Sequence, residues 1–203
     1  YWALEYTSGP NRDLRYVDQI EQMYNYFYNK NIAVDMIPID ADFSKYDLVA
    51  APVLYMVKDG VAESLEAYVQ AGGTLITTYM SGIVGQSDNV HLGGYPGPLR
   101  KMAGVWVEEI DALAPEQRNK IRFADGTEEE CRLVCDLMHL EGAEEIAQYE
   151  SDFYAGMTAV AKNQFGKGTV YYVGTDLSES GLAKVLATVS YTHLRAHETE
   201  LHL

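Results

Sequence analysis

Ser81 is the residue of this sequence best suited to act as a nucleophile. It stands in the turn from Tyr79 to Gly82, directly after an apolar run that is typical of a strand, and catalysis in α/β folds occurs at the carboxyl ends of parallel strands. A serine nucleophile needs a histidine base within reach and an acid behind that base. Apart from histidines near the carboxyl terminus of the chain, the candidate bases are His91 and His139. Neither lies in a recognisable triad pattern. The sequence therefore predicts a structural turn and no catalytic residue.

The two cysteines, Cys131 and Cys135, are four residues apart. A zinc site needs further cysteines or histidines at suitable spacing, and none stands nearby. We expect two buried free thiols, which favour a reducing compartment and hence the cytoplasm. Three of the five histidines, His193, His197 and His202, lie at the carboxyl end with a spacing that fits no metal site. We predict neither a metal nor a cofactor.

The charge of the chain excludes two classes of partner. Its formal net charge is -15, and its lysines and arginines form no stripe, so nucleic acid and anionic membranes are repelled. No apolar run approaches the ~20 residues that span a bilayer. Neighbouring carboxylates such as Glu108 and Glu109 point to opposite faces of a strand, which makes them poor acid/base pairs. They are more typical of a solvated edge.

The amino-terminal part of the chain alternates between helical and extended patterns. Helices are predicted from Asp13 to Lys30 and from Asp59 to Ala71, with strands from Ile32 to Ile39, Asp47 to Leu54 and Thr74 to Tyr79. The second strand is almost continuously apolar, as in a parallel sheet covered on both faces. This order, with short links, predicts an α/β domain with a doubly wound, mostly parallel sheet flanked by helices.

The rest of the chain predicts a β-rich insertion. A glycine-rich loop from Met80 to Pro98 comes first, and loops of this length inside compact domains are usually functional. A short helix is expected at 98–102, and Ser178 or Ser180 caps a last helix that runs to Leu186. The predicted strands between these helices cover 105–110, 120–123, 133–140, 143–149, 159–163 and 169–173.

Three tyrosines, Tyr55, Tyr79 and Tyr95, fall at predicted strand ends or in the long loop. Converging aromatic side chains are typical of a sugar-binding pocket, and they are equally typical anchors of a protein interface. Together with Ser81 and His91, these tyrosines are the candidate binding or interface residues.

Several stretches together resemble the β-galactosidases of glycoside hydrolase family 42. The resemblance rests on the order and spacing of these stretches, which lie at residues 2–5, 8–10, 46–55, 71–75, 91–99, 135–137, 140–144, 152–156, 166–168 and 171–175. It implies a middle domain with a class I glutamine amidotransferase-like, flavodoxin-like fold that builds a homotrimer. It also implies a retaining enzyme, whose two catalytic glutamates lie in a preceding TIM barrel that binds the β-galactoside. No glutamate of this chain matches those motifs.

The resemblance also divides the chain. Residues 1–13 correspond to the end of the barrel and a linker, and residues 14–188 to the assembly domain. From Val189 the sequence resembles the translation of an adaptor used in DNA sequencing, so we expect residues 189–203 to be non-native and to join no element. Two alternatives stay open, a sugar-binding or regulatory module and a stand-alone amidotransferase-like hydrolase that uses Ser81.

Overall fold

The computed structural model describes residues 9–198, with side chains described as far as Val189. The helices are α1 (Tyr16–Asn29), α2 (Val61–Ala71), α3 (Arg100–Ala103, after a 3-10 turn at Gly97–Leu99) and α4 (Glu179–Glu198). The strands are β1 (Leu48–Ala51), β2 (Thr74–Thr78), β3 (Val105–Ala112), β4 (Asn119–Phe123), β5 (Glu128–Leu140), β6 (Glu144–Tyr149), β7 (Thr158–Phe165), β8 (Gly168–Val173) and β9 (Thr175–Leu177). None of the helices in this part of the chain is long and apolar enough to cross a membrane.

The described strands form one mixed sheet in the order β1-β2-β8-β7-β6-β4-β5-β3, with β9 beside β5. Only the pairs β1–β2 and β2–β8 are parallel, and the other pairings are antiparallel. The predicted doubly wound, mostly parallel sheet flanked by helices is therefore wrong, and so is the class I glutamine amidotransferase-like, flavodoxin-like fold. The domain is instead a strand-rich mixed sheet. Parallel neighbours need a long crossover, usually a helix, and between β1 and β2 that crossover is α2. The pairs β4–β5 and β7–β8 are each joined by a short turn, which imposes antiparallel pairing.

The pattern predicted for the amino-terminal part of the chain is only partly confirmed. Helix α1 begins at Tyr16, and Asp13 does not cap it. The strand expected from Ile32 to Ile39 is wrong, because that segment has no regular secondary structure and pairs with no strand. Its isoleucines and Val34 pack against the buried clusters on the sheet, so its apolar alternation reflects side-chain packing without strand pairing. β1 is left as the edge of the sheet.

Other predicted elements are confirmed. Helix α2 ends at Gly72, whose φ of 126° a glycine adopts readily. All five residues of β2 are buried, as its apolar run predicts. The turn between β7 and β8 forms a hairpin through Gly166. Ser178 caps the last helix, because its Oγ accepts the backbone N–H of Gly181 at 3.0 Å.

The larger part of the core lies in two of three buried clusters, and the third gathers around Tyr79 beneath the long loop. One unites Met23 and Phe27 of α1 with Val185 and Leu186 of α4 over the middle of the sheet. The other holds Leu65 and further residues of α2 with α3 and the parallel strands. Burying apolar area on this scale is the main source of stability, at about 25 cal/mol per Å².

Both ends of the described chain are attached to the domain. Asn11 is buried, and its Nδ2 donates to the carbonyls of Leu113 and Leu133, so the chain is already attached to this domain there. At the other end α4 continues to Glu198, and Val189 is buried in the core. The expectation that residues from Val189 join no element is therefore wrong as far as Glu198. An adaptor origin for 189–203 stays a prediction, and residues 1–8 and 199–203 lie outside the described chain.

Candidate functional site

The turn after β2 holds Ser81 in a closed network of hydrogen bonds. Its Oγ accepts the backbone N–H of Leu54 at 3.0 Å and lies 2.9 Å from Oγ1 of Thr77. Thr77 donates its own hydroxyl hydrogen to the carbonyl of Ala51 at 2.9 Å. The hydrogen of Ser81 must therefore point to Thr77, and the side chain is fully buried. This hydroxyl closes the turn onto β1 and is not presented to a substrate.

The two histidines considered as bases lie in other networks. Nε2 of His91 is buried without a hydrogen-bond partner among the described residues, and its ring packs beside Gly85 and Gly97. Nε2 of His139 lies 2.8 Å from Oε2 of Glu108. Since Ser81 bonds neither ring, the structure does not assemble the base and nucleophile pair that a serine hydrolase requires.

The three candidate tyrosines gather at one cluster beneath the long loop. Tyr79 is 1% exposed, its hydroxyl has no partner among the described residues, and burial raises its pKa well above the ordinary value. Tyr55 and Tyr95 are half-buried against the same cluster, which includes Val53 and Ile83. Tyr79 is thus a core residue. A binding or interface role for the three tyrosines, Ser81 and His91 stays a prediction.

A buried carboxyl centre, which the sequence did not suggest, is formed by Asp136 in β5 and Asp176 in β9, both of which lie close enough to Tyr79 to add to the rise in its pKa that burial causes. Oδ2 of Asp136 accepts the hydroxyl of Tyr172 at 2.7 Å, whereas Oδ1 has no partner among the described residues. Burial raises the pKa of Asp136 to about 8. Asp176 is equally buried and its Oδ2 accepts Nε of Arg132 at 2.8 Å. Burial raises the pKa of Asp176 too, and Arg132 opposes that rise.

This centre has no route to a substrate. Asp136 and Asp176 are both 1% exposed, so a sugar cannot reach the carboxyl that stays protonated near neutral pH. Among the described residues no three His, Cys, Asp or Glu side chains are grouped so as to hold a metal ion. The signal available in the sequence was a single Asp inside the apolar run Cys135-Asp136-Leu137, but nothing in the sequence indicated its partners.

The cysteines are buried free thiols, as expected. Hydrogen bonding to Cys135 and burial raise the pKa of the Cys131 thiol, so Cys131 stays protonated and unreactive. Sγ of Cys135 lies 3.6 Å from Oγ1 of Thr175 inside the core. Both residues act as small apolar side chains.

An apolar cleft of about 430 Å³ opens between α1, the 32–39 segment and β1. Met23, Phe27 and Leu48 are among the residues that line it. None of the five candidate residues does, so the cleft is separate from the strand-end region where the sequence placed a pocket.

The geometry of the site does not identify the family of this chain, but comparison with known proteins does. A sequence profile of the β-galactosidase trimerisation domain matches residues 1–194. The β-galactosidase LacA of Lactobacillus acidophilus is 50% identical over 185 residues, which are 91% of this chain and 28% of that protein. The β-galactosidase BgaA of a Planococcus species is 49% identical over 193 residues, again 28% of its length. The chain thus spans less than a third of the relatives it matches.

Solved structures agree with the fold. The β-galactosidase of Bacillus circulans sp. alkalophilus superposes with a TM-score of 0.91 at 43% identity, over 94% of this chain and 29% of that one. Gan42B, a GH42 β-galactosidase of G. stearothermophilus, superposes with a TM-score of 0.89 at 36% identity, over 94% and 28% of the two chains.

Proposed function

This chain belongs to the β-galactosidase trimerisation domain family, and from that premise we propose that it is the assembly domain of a larger, retaining β-galactosidase. The complete enzyme hydrolyses terminal β-D-galactosides, and this domain joins three copies of it into a homotrimer. The observation that carries the proposal is that the family profile matches nearly the whole chain. The chain covers only 28% of the relative LacA, so it corresponds to one part of a larger protein of that kind.

We place the catalytic carboxylates outside this chain, in a preceding barrel that also binds the galactoside. A retaining glycosidase needs two carboxyl groups about 5–5.5 Å apart, open to the glycosidic bond. The buried carboxyls Asp136 and Asp176 are closed to solvent, and Asp176 is paired with Arg132. Ser81 is equally enclosed. These observations favour an assembly role for the domain over a hydrolase of its own.

The test compares the complete protein with this chain alone. The complete protein should hydrolyse a chromogenic β-galactoside and show three times its subunit mass by light scattering coupled to size exclusion. The chain alone should release no chromophore above a buffer control, because no carboxylic acid can reach the leaving oxygen. Turnover by the chain alone, or a monomeric complete protein, would contradict the proposal.

The long loop is the part of the domain that we propose reaches toward a neighbouring barrel or subunit. Tyr95 within it is half-buried, and its backbone pairs with Val107 in both directions. Replacing Tyr95 by Ala in the complete protein should then weaken assembly or substrate binding. The backbone pairing does not depend on the side chain, so the thermal unfolding of this domain should change little by comparison.

We also propose a cytoplasmic location. Its support is the pair of free cysteines, because proteins of oxidising compartments seldom keep buried thiols unpaired. Fractionation of the source cells with an activity assay would test it, and activity confined to the medium would contradict it.

A further inference from the structure

The tip of the long loop presents an apolar side chain beside a fixed arginine. Leu92 is 96% exposed, and Leu140 at the end of β5 is 41% exposed. Arg100 connects the two, because its Nη1 donates to the carbonyl of Gly93 at 2.7 Å and its Nε donates to Glu141 at 2.6 Å. We call the surface formed by Leu92, Arg100, Trp106, His139 and Leu140 the Leu92 patch.

Aromatic rings lie beneath the arginine and hold the patch in place. The guanidinium of Arg100 lies 5.3 Å from the centre of the Trp106 ring, and the Trp106 ring is stacked on His139 at 5.0 Å. A Cβ added at Gly94 would lie 1.9 Å from Nε1 of Trp106, so the loop backbone rests directly on the indole. A patch fixed in this way loses little entropy when it binds a partner.

The polar side chains of the patch already have partners within the domain. Arg100 forms an ion pair with Glu141, and His139 lies against Glu108. The chain as a whole carries a net charge of -15, so two copies repel one another over most of their surfaces. A face whose carboxylates have internal partners, with exposed leucines and an Arg on a Trp, is the kind of surface on which two acidic copies can meet.

The position of the patch favours another copy over the domain's own preceding chain. That chain enters at Asn11, which bonds the carbonyls of Leu113 and Leu133 at one end of the β3–β5 ribbon. The patch lies at the opposite end, where Val105 pairs with Leu140. At about 3.3 Å per residue, the ribbon separates the two places by roughly 20 Å.

We propose that the Leu92 patch binds a second copy of the protein and so forms part of the subunit contact. This rests on the proposed function, since it names the surface by which the assembly domain self-associates. Leu92 is the anchor that enters the neighbouring subunit, and Arg100, stacked on Trp106, fixes its position.

The experiment uses Leu92→Asp and Leu140→Asp in the complete protein, with Phe153→Asp as the matched control. Phe153 is also a well-exposed apolar side chain, at 74%, but it lies in the segment between β6 and β7. Leu92→Asp should weaken self-association roughly 100-fold, because it places an unpaired charge in an apolar contact, and Leu140→Asp should weaken it in the same direction. The control should keep the mass of the wild type. Far-UV circular dichroism and melting temperature check that each variant folds.

The outcomes separate the two proposals. If the wild type is itself monomeric, the assembly function is wrong. If the wild type assembles and Leu92→Asp assembles equally well, only the patch is wrong. If Leu92→Asp keeps its mass but separates the domains of one subunit, as shown by faster proteolysis between them, the patch binds its own chain, and the second-copy assignment is overturned.

Discussion

We expect the free energy of unfolding of this domain to fall between pH 5 and pH 8, and we expect Asp136→Asn to remove most of that fall. In the folded chain, burial raises the pKa of this carboxyl to about 8, from an ordinary 3.8. Well below pH 3.8 the group is protonated in both folded and unfolded chains. As the pH rises, the unfolded chain ionises first, so the free energy of unfolding falls until the folded carboxyl also ionises near pH 8.

The size of the effect follows from the same two values. At pH 7 the difference from 3.8 corresponds to about 4 kcal/mol, at ~1.36 kcal/mol per pH unit. We take about 2–4 kcal/mol as the working range, since buried groups relax and admit water. For a domain of this size each kcal/mol moves the melting temperature by about 2–4 °C. Asn keeps an oxygen that can accept the hydroxyl of Tyr172 and carries no charge.

The assay is thermal unfolding followed by circular dichroism at several pH values from 5 to 8. The melting temperature of the wild type should fall across this window by about 4–16 °C, and that of Asp136→Asn should fall much less. A residual slope is expected from Asp176, whose pKa is also raised by burial. Tyr172→Phe is a control that should act in the opposite direction. The Tyr172 hydrogen bond lowers the pKa of Asp136, so without it the melting temperature should continue to fall to higher pH. Parallel curves for wild type and Asp136→Asn would refute the reasoning.

Three further predictions concern packing and turns, and each is checked by denaturant unfolding. Gly94→Ala should destabilise the domain by at least about 1–3 kcal/mol, because its Cβ would overlap Nε1 of Trp106. An unfolding free energy equal to that of the wild type would show that the loop moves freely. Ser81→Ala should cost about 1–3 kcal/mol by leaving the N–H of Leu54 unpaired, with no change in the kcat of the complete enzyme. Leu65→Ala should cost about 2–5 kcal/mol, since Leu65 is fully buried, and a smaller loss would mean that the core collapses around it.

Local sequence patterns were sufficient to predict the elements that are stabilised by contacts between residues close together in the chain. Helix α2 with its terminal Gly72, the buried strand β2 and the β7–β8 hairpin all depend on residues within a few positions of one another. The family could also be identified from the sequence, because a series of short stretches in fixed order is specific even where the resemblance of each stretch alone is weak. The absence of a triad partner for Ser81 could be argued from the same kind of pattern.

Strand pairing and the buried centre were decided only by the tertiary structure. The direction of a strand's neighbour depends on long-range contacts, so the helix-and-strand pattern before the long loop did not predict the antiparallel remainder of the sheet. Asp136 meets Tyr172 across 36 positions, and Arg132 meets Asp176 across 44. Leu92 and Leu140 are likewise brought to one surface by Arg100. Periodicity reports which face of an element is apolar, but the partner of that face depends on how the whole chain packs.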